Sequence, residues 1–146
     1  MRYFEDIEVG SRKAFGHYDV TLDEVVGFAS KYDPQPFHLS DEAAAKTHFG
    51  RLSASGWHTC AMTMAMIVKS FEDSQEAGLG AAGIDELRWL KPVYPGDTLR
   101  CESEILEKRA SQSRPGGVEW LQRAMVAGLR GEMTIPAPPP PAPPQC

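Results

Sequence analysis

A chain of 146 residues is long enough for one domain with a sizeable core and too short for two independent ones. Fifteen Lys and Arg against 20 Asp and Glu leave a formal charge of −5, which offers a phosphate backbone no electrostatic footprint, so nucleic acid is not expected as a partner. With 42% apolar and 24% charged residues the bulk is globular rather than disordered, no apolar run reaches the roughly 18 residues of a membrane span, and the charged start from Met1 to Val9 is unlike a secretory leader.

In chain order, Phe4 to Val9 and Arg12 to Val20 carry short alternating patterns and predict one or two strands. Thr21-Leu22-Asp23-Glu24 then matches a capping box, in which a Thr hydroxyl and a Glu carboxylate each satisfy an orphan backbone donor. Leu22, Val25, Val26, Ala29 and Tyr32 follow at helical spacing, and Pro34 and Pro36 stop the helix at Tyr32 or Asp33. A short helix restarts after Ser40, whose hydroxyl caps it. From Gly56 to about Phe71 apolar groups stand on nearly every side, which predicts a buried helix about 24 Å long at roughly 1.5 Å per residue. After the Gly-rich stretch from Gly78 to Gly83, Leu87 and Trp89 share one strand face and Arg88 and Leu90 the other. Lys91 to Asp97 reads as a turn, and Leu99, Cys101, Ser103 and Ile105 alternate along a long strand whose wet face carries Glu102 and Glu104. Pro115-Gly116-Gly117 marks another turn. Trp120 to Ala127 fits helix or strand, with strand favoured. Seven of the 12 prolines lie in residues 136–146, a composition that suits a disordered tail outside the fold.

The chemistry-bearing stretch is Tyr32-Asp33-Pro34-Gln35-Pro36-Phe37-His38, where a carboxylate and an imidazole stand five positions apart on a proline-stiffened bend. A carboxylate and an imidazole held together supply what water addition across a conjugated double bond needs: one group to take a proton from water and another to deliver one to carbon. Arg51-Leu52-Ser53-Ala54-Ser55-Gly56-Trp57 leads into the long helix, and its small residues let a ligand approach backbone amides at a helix start, where a carbonyl oxygen can be polarised. The blander reading is that Gly56 only allows a tight entry into the core.

These residues, with Ala43 and Ala44, the run from Phe49 to Thr59 and the Lys91-Pro92-Val93-Tyr94-Pro95-Gly96-Asp97 turn, resemble the MaoC-like acyl dehydratases and (R)-specific enoyl-CoA hydratases over roughly residues 4–114. The resemblance implies an α+β hot-dog fold, an antiparallel sheet wrapped around one long central helix, in a single domain over residues 1–135. It implies a homodimer or higher homo-oligomer and an acyl-CoA substrate, with coenzyme A the carrier rather than a cofactor. Carried over by position, Asp33 and His38 become the catalytic dyad, Gly56 the backbone donor to the thioester carbonyl with Ser55 beside it, and Trp57 and His58 pocket lining. The implied reaction is reversible hydration of a 2-enoyl-CoA or dehydration of a 3-hydroxyacyl-CoA. A hot-dog thioesterase and a non-catalytic acyl-binding or dimerisation module are the alternatives.

Two departures stand out. Gln35 occupies a position where the usual motif has Asn, and after Arg114 only Val118 to about Thr134 remains for two strands, with Gly128 and Gly131 interrupting the alternation, which puts the last strand in question. Elsewhere the plain readings are preferred. His17 and His48 are ordinary surface residues, and His58 is packing or capping at the helix start. Trp57, Trp89, Met62, Met64 and Met66 are core or acyl-tunnel lining. Cys60, Cys101 and Cys146 are odd in number and lack metal-ligand spacing, which predicts no metal site and a reducing, cytoplasmic setting.

Overall fold

The computed structural model describes residues 4–74, 83–110, 112, 118–128 and 131–136, the last two stretches by their backbone. A 3-10 turn (Phe4–Asp6) is followed by β1 (Arg12–Asp19), α1 (Leu22–Tyr32), a second 3-10 turn (Pro36–His38), α2 (Asp41–Ala45) and α3 (Gly56–Ser74). Then come β2 (Arg88–Trp89), β3 (Thr98–Ala110), β4 (Val118–Gly128) and β5 (Gly131–Pro136). The first turn replaces an expected strand: Phe4 and Ile7 are three residues apart, a 3-10 rather than an alternating spacing, and Ile7 is buried.

All strands pair antiparallel in one sheet of order β1-β3-β4-β5-β2. Both C-terminal strands are present. Gly128 and Gly131 pair across the β4–β5 connection, so they end two strands rather than interrupt one. Pro136, assigned from composition to the tail, pairs with Arg123 as the last residue of β5, where a residue without an N–H closes a ladder. The strand reading of Trp120 to Ala127 holds; the Pro115-Gly116-Gly117 turn and residues 137–146 lie outside the described residues.

Helix α3 has 19 residues, about 28 Å at the usual rise, and packs on β1 and β3. Met62 and Met66 join Val20, Val25, Leu52, Ala54, Val93, Leu99 and Cys101 in the core. The approach to β1 is close: at Gly16, where β1 bulges with φ +85°, a Cβ would stand 2.7 Å from Met66 Sδ. Burial of α3 is one-sided, however. Trp57 is 58%, Met64 53% and Val68 45% exposed, and Trp89 is exposed too, which corrects the expectation of a helix buried all round and removes the core half of the core-or-tunnel reading for Trp57, Met64 and Trp89. An all-round apolar sequence specifies contact on every face but not which body supplies it.

The caps follow local rules with one change. Thr21 Oγ1 accepts from Glu24 N at 3.3 Å, but the Glu24 carboxylate, rather than reaching back to Thr21, accepts from the Tyr18 hydroxyl at 2.9 and 3.1 Å. Ser40 caps α2 through Ala43 N. The turn at residues 91–97 is what places the loop before α3: Ala54 N donates to Val93 O at 2.7 Å, and the Tyr94 hydroxyl donates to Phe49 O at 2.8 Å. From the other side Leu52 N donates to Asp41 Oδ1, so α2 and the turn clamp one short extended segment.

Candidate active site

Asp33 is the C-cap of α1, its N–H still bonded to Ala29 O, and the two prolines beyond it prevent the helix from continuing. Around Pro34 the chain reverses tightly, with Gln35 N donating to Asp33 O at 2.8 Å, a three-residue turn that suits the fixed proline φ. His38 N then donates to Gln35 O, closing the 3-10 turn. The bend therefore returns the His38 ring to the Asp33 carboxylate: Nε2 stands 3.4 Å from Oδ2, with the imidazole 7% and the carboxylate 18% exposed. Phe37 meets the His38 ring edge-on at 4.5 Å, and Phe49 flanks both.

His38 Nδ1 lies 2.7 Å from Ser53 O. A carbonyl oxygen only accepts, so Nδ1 carries a proton and Nε2 is the nitrogen left to exchange one. Each Asp33 oxygen also has a donor: the Ser55 hydroxyl gives its proton to Oδ2 at 2.7 Å, and Gln35 Nε2 donates to Oδ1 at 2.7 Å. Burial pushes this carboxyl up, but the Ser55 and Gln35 hydrogen bonds and the facing His38 charge outweigh it and hold the group below its ordinary value.

Of the residues singled out from sequence, the fold brings Asp33, His38 and Ser55 into direct contact, with Gly56 next in the chain. Ser55, expected beside a substrate carbonyl, spends its hydroxyl proton on Asp33. Gly56 opens α3, where the first N–H groups have no partner inside the helix. A Cβ on Gly56 would lie 2.5 Å from Trp89 Cε2, and Trp89 Nε1 donates to Gly56 O at 3.0 Å, so the glycine answers to a close neighbour as well. Trp57 lies on the outside, edge-on to Trp89 at 5.3 Å. His58 is buried and stacked on Phe28 at 4.7 Å with Nδ1 lacking a hydrogen-bond partner, which is packing rather than capping. Burial lowers its pKa, against a smaller opposing pull from Glu24. Sequence reasoning missed Ser53 and Trp89: the first acts through its backbone, and the second reaches Gly56 from 33 residues away.

A cavity of about 640 Å³ lies between β1 and the C-terminal half of α3, lined by Phe15, Gly16, Met66 and Lys69 among others but by neither member of the dyad. Among the described residues no three metal-ligating side chains come together, and no helix is long and apolar enough to cross a membrane.

An α+β fold of this topology, with a carboxylate and an imidazole meeting before the long helix, is that of the hot-dog dehydratases, and comparison with known proteins agrees. The MaoC-like domain model matches residues 9–122, and the chain belongs to the MaoC-like dehydratase family. A MaoC-like dehydratase from Rhodospirillum rubrum superposes with a TM-score of 0.73 at 33% identity, covering 96% of this chain and all of that one. The chain is 35% identical over 107 residues to the 3-hydroxybutyryl-CoA dehydratase of Methylorubrum extorquens, covering 72% of this chain and 64% of that protein. It is 31% identical over 122 residues to the uncharacterised protein YdeM of Bacillus subtilis, covering 80% and 84% respectively.

Proposed function

We propose that the protein catalyses the reversible hydration of a 2-enoyl-CoA, equivalently dehydration of a 3-hydroxyacyl-CoA, with Asp33 and His38 as the acting pair. The observation that carries this is the His38 Nδ1 contact with Ser53 O, which leaves Nε2 as the proton-exchanging atom and points it at Asp33 Oδ2 at 3.4 Å, close enough for one water beside the pair to contact both. Asp33, held below the ordinary carboxyl range, is ionised at neutral pH and so accepts rather than donates. The division of labour follows. Water oxygen bonds to the β-carbon while its proton passes to the Asp33 carboxylate. The α-carbon takes its proton from Nε2 of the doubly protonated His38 ring, and passage of the water proton from Asp33 to the vacated Nε2 resets the pair. To the Gly56 N–H, the first of α3, we assign the charge that builds on the thioester oxygen, a role supported by the unpartnered donors of a helix start.

Coenzyme A enters as part of the substrate, and no further group is needed for these steps. We take residues 1–135 as one hot-dog domain followed by a proline-rich tail, working as a homodimer in the cytoplasm. Support for a second copy comes from β2 at the sheet edge and the apolar side chains Trp57, Met64, Trp89 and Leu90 exposed nearby and along α3. Light scattering should give twice the 16.1 kDa chain.

Incubation with a short 2-enoyl-CoA should abolish the conjugated-thioester absorbance without releasing free thiol. Thiol release would instead mean thioester hydrolysis. Binding of acyl-CoA with neither change would mean a non-catalytic module.

A further inference from the structure

The bend that carries the dyad holds Asp33 from both ends through one residue. Gln35 donates its backbone N–H to Asp33 O at 2.8 Å and its side-chain Nε2 to Asp33 Oδ1 at 2.7 Å, while its own carbonyl takes the His38 N–H at 2.9 Å. It sits between Pro34 and Pro36, with φ −73° and ψ 137°, so the side chain is launched from a backbone with little freedom. The side chain is exposed and serves no core. An ionised carboxylate only accepts, so the amide must turn its NH₂ toward Oδ1. Oδ2 is then left for the Ser55 hydroxyl and the space in front of His38, the titratable group that faces Asp33.

Resting on the proposed hydratase reading, we infer that Gln35 is a positioning residue: its amide locks the Asp33 carboxylate in the rotation that aims Oδ2 at the His38 Nε2 face. Gln35 touches neither water nor substrate in this role; it acts through Asp33. The two functions of the amide are separable by chemistry. A side chain of equal length without a donor frees the carboxylate to rotate, whereas one of equal shape with a negative charge also repels it.

The experiment compares the full-length wild type with Gln35→Met and Gln35→Glu, following the Asp33 carboxyl carbon by NMR titration and hydration of a short 2-enoyl-CoA against pH. Gln35→Met should lose about tenfold in kcat with KM within about twofold, the scale of one hydrogen bond to a charged group. Gln35→Glu should make residues 33 and 35 titrate as a coupled pair with one midpoint above the ordinary carboxyl range, and should bring an acid limb of kcat/KM into the region of about pH 5 to 6. Both variants should melt close to the wild type. An Asp33 titration unchanged in Gln35→Glu, or an unchanged kcat in Gln35→Met, overturns the inference. A wild type that titrates as expected but hydrates nothing overturns the proposed function instead, and the NMR comparison still decides the role of Gln35.

Discussion

Asp33 Oδ2 and His38 Nε2 face each other at 3.4 Å although they stand five positions apart in the chain, because the two-proline bend folds the segment back on itself. The pair sits at a boundary: the ring is nearly covered, and the carboxylate keeps a window to solvent. Such a pair can hold a charge while its carboxylate stays within reach of water.

Replacing either member should therefore remove turnover by about a hundredfold or more. Asp33→Asn keeps the shape of the side chain and should leave the melting temperature near that of the wild type. His38→Ala also empties a packed site between Phe37 and Phe49 and should cost about 1–3 kcal/mol in chemical denaturation. Full activity in either variant would refute the role given to that residue.

Gly56→Ala should destabilise the fold by about 1–3 kcal/mol, because the new methyl would overlap the Trp89 indole. In the Trp89→Ala background the same change should be close to neutral. A double-mutant cycle read by urea unfolding separates this overlap from any effect on the thioester oxygen, which appears in kcat alone.

His58 titrates lower in the folded chain than its ordinary 6.5, because burial penalises its charged form. The unfolded chain therefore binds the extra proton first, and stability that is complete above about pH 6.5 declines as the pH falls below it. His58→Phe keeps the stack on Phe28 and has no unpartnered Nδ1 to bury. Its stability advantage over the wild type should widen from pH 7 to pH 5, as followed by denaturant midpoints; a constant gap would rule out His58 as the source.

Burial, with Glu102 nearby, pushes the Cys101 thiol up to about 12, and the half-buried Cys60 is raised less. Peptide mapping after alkylation at pH 8 should find Cys101 unmodified in the native protein and fully modified in denaturant. Native labelling of Cys101 on the same timescale as Cys60 would contradict its packing in the core.

Much of this site was legible where the governing rule is local. Thr21 and Ser40 cap helices because a hydroxyl before a helix satisfies an orphan N–H, and Pro34 ends α1 because proline forbids its continuation. The proximity of Asp33 and His38 followed from a short, stiff spacing. What escaped was non-local or carried by the backbone. Trp89 covers Gly56 through tertiary packing, and Glu24 left its expected capping role because Tyr18, on a neighbouring strand, competes for the same carboxylate. Gly128 and Gly131 looked like breaks within a strand because glycine marks both interruption and reversal, and the β4–β5 pairing is needed to tell which. The exposed stripe of α3 escaped for a related reason: a sequence records that a face is apolar, not whether sheet or second chain covers it.

The acceptor that fixes the His38 ring is the peptide oxygen of Ser53, and every amino acid carries one. Point substitution at 53 cannot delete that contact, so selection for the working orientation of the ring falls on the path of the main chain through residues 52–54, which the bonds from Leu52 to Asp41 and from Ala54 to Val93 maintain. Among descendants of this gene, residue 53 can then change to any side chain small enough for its buried place while the shape of the segment stays fixed.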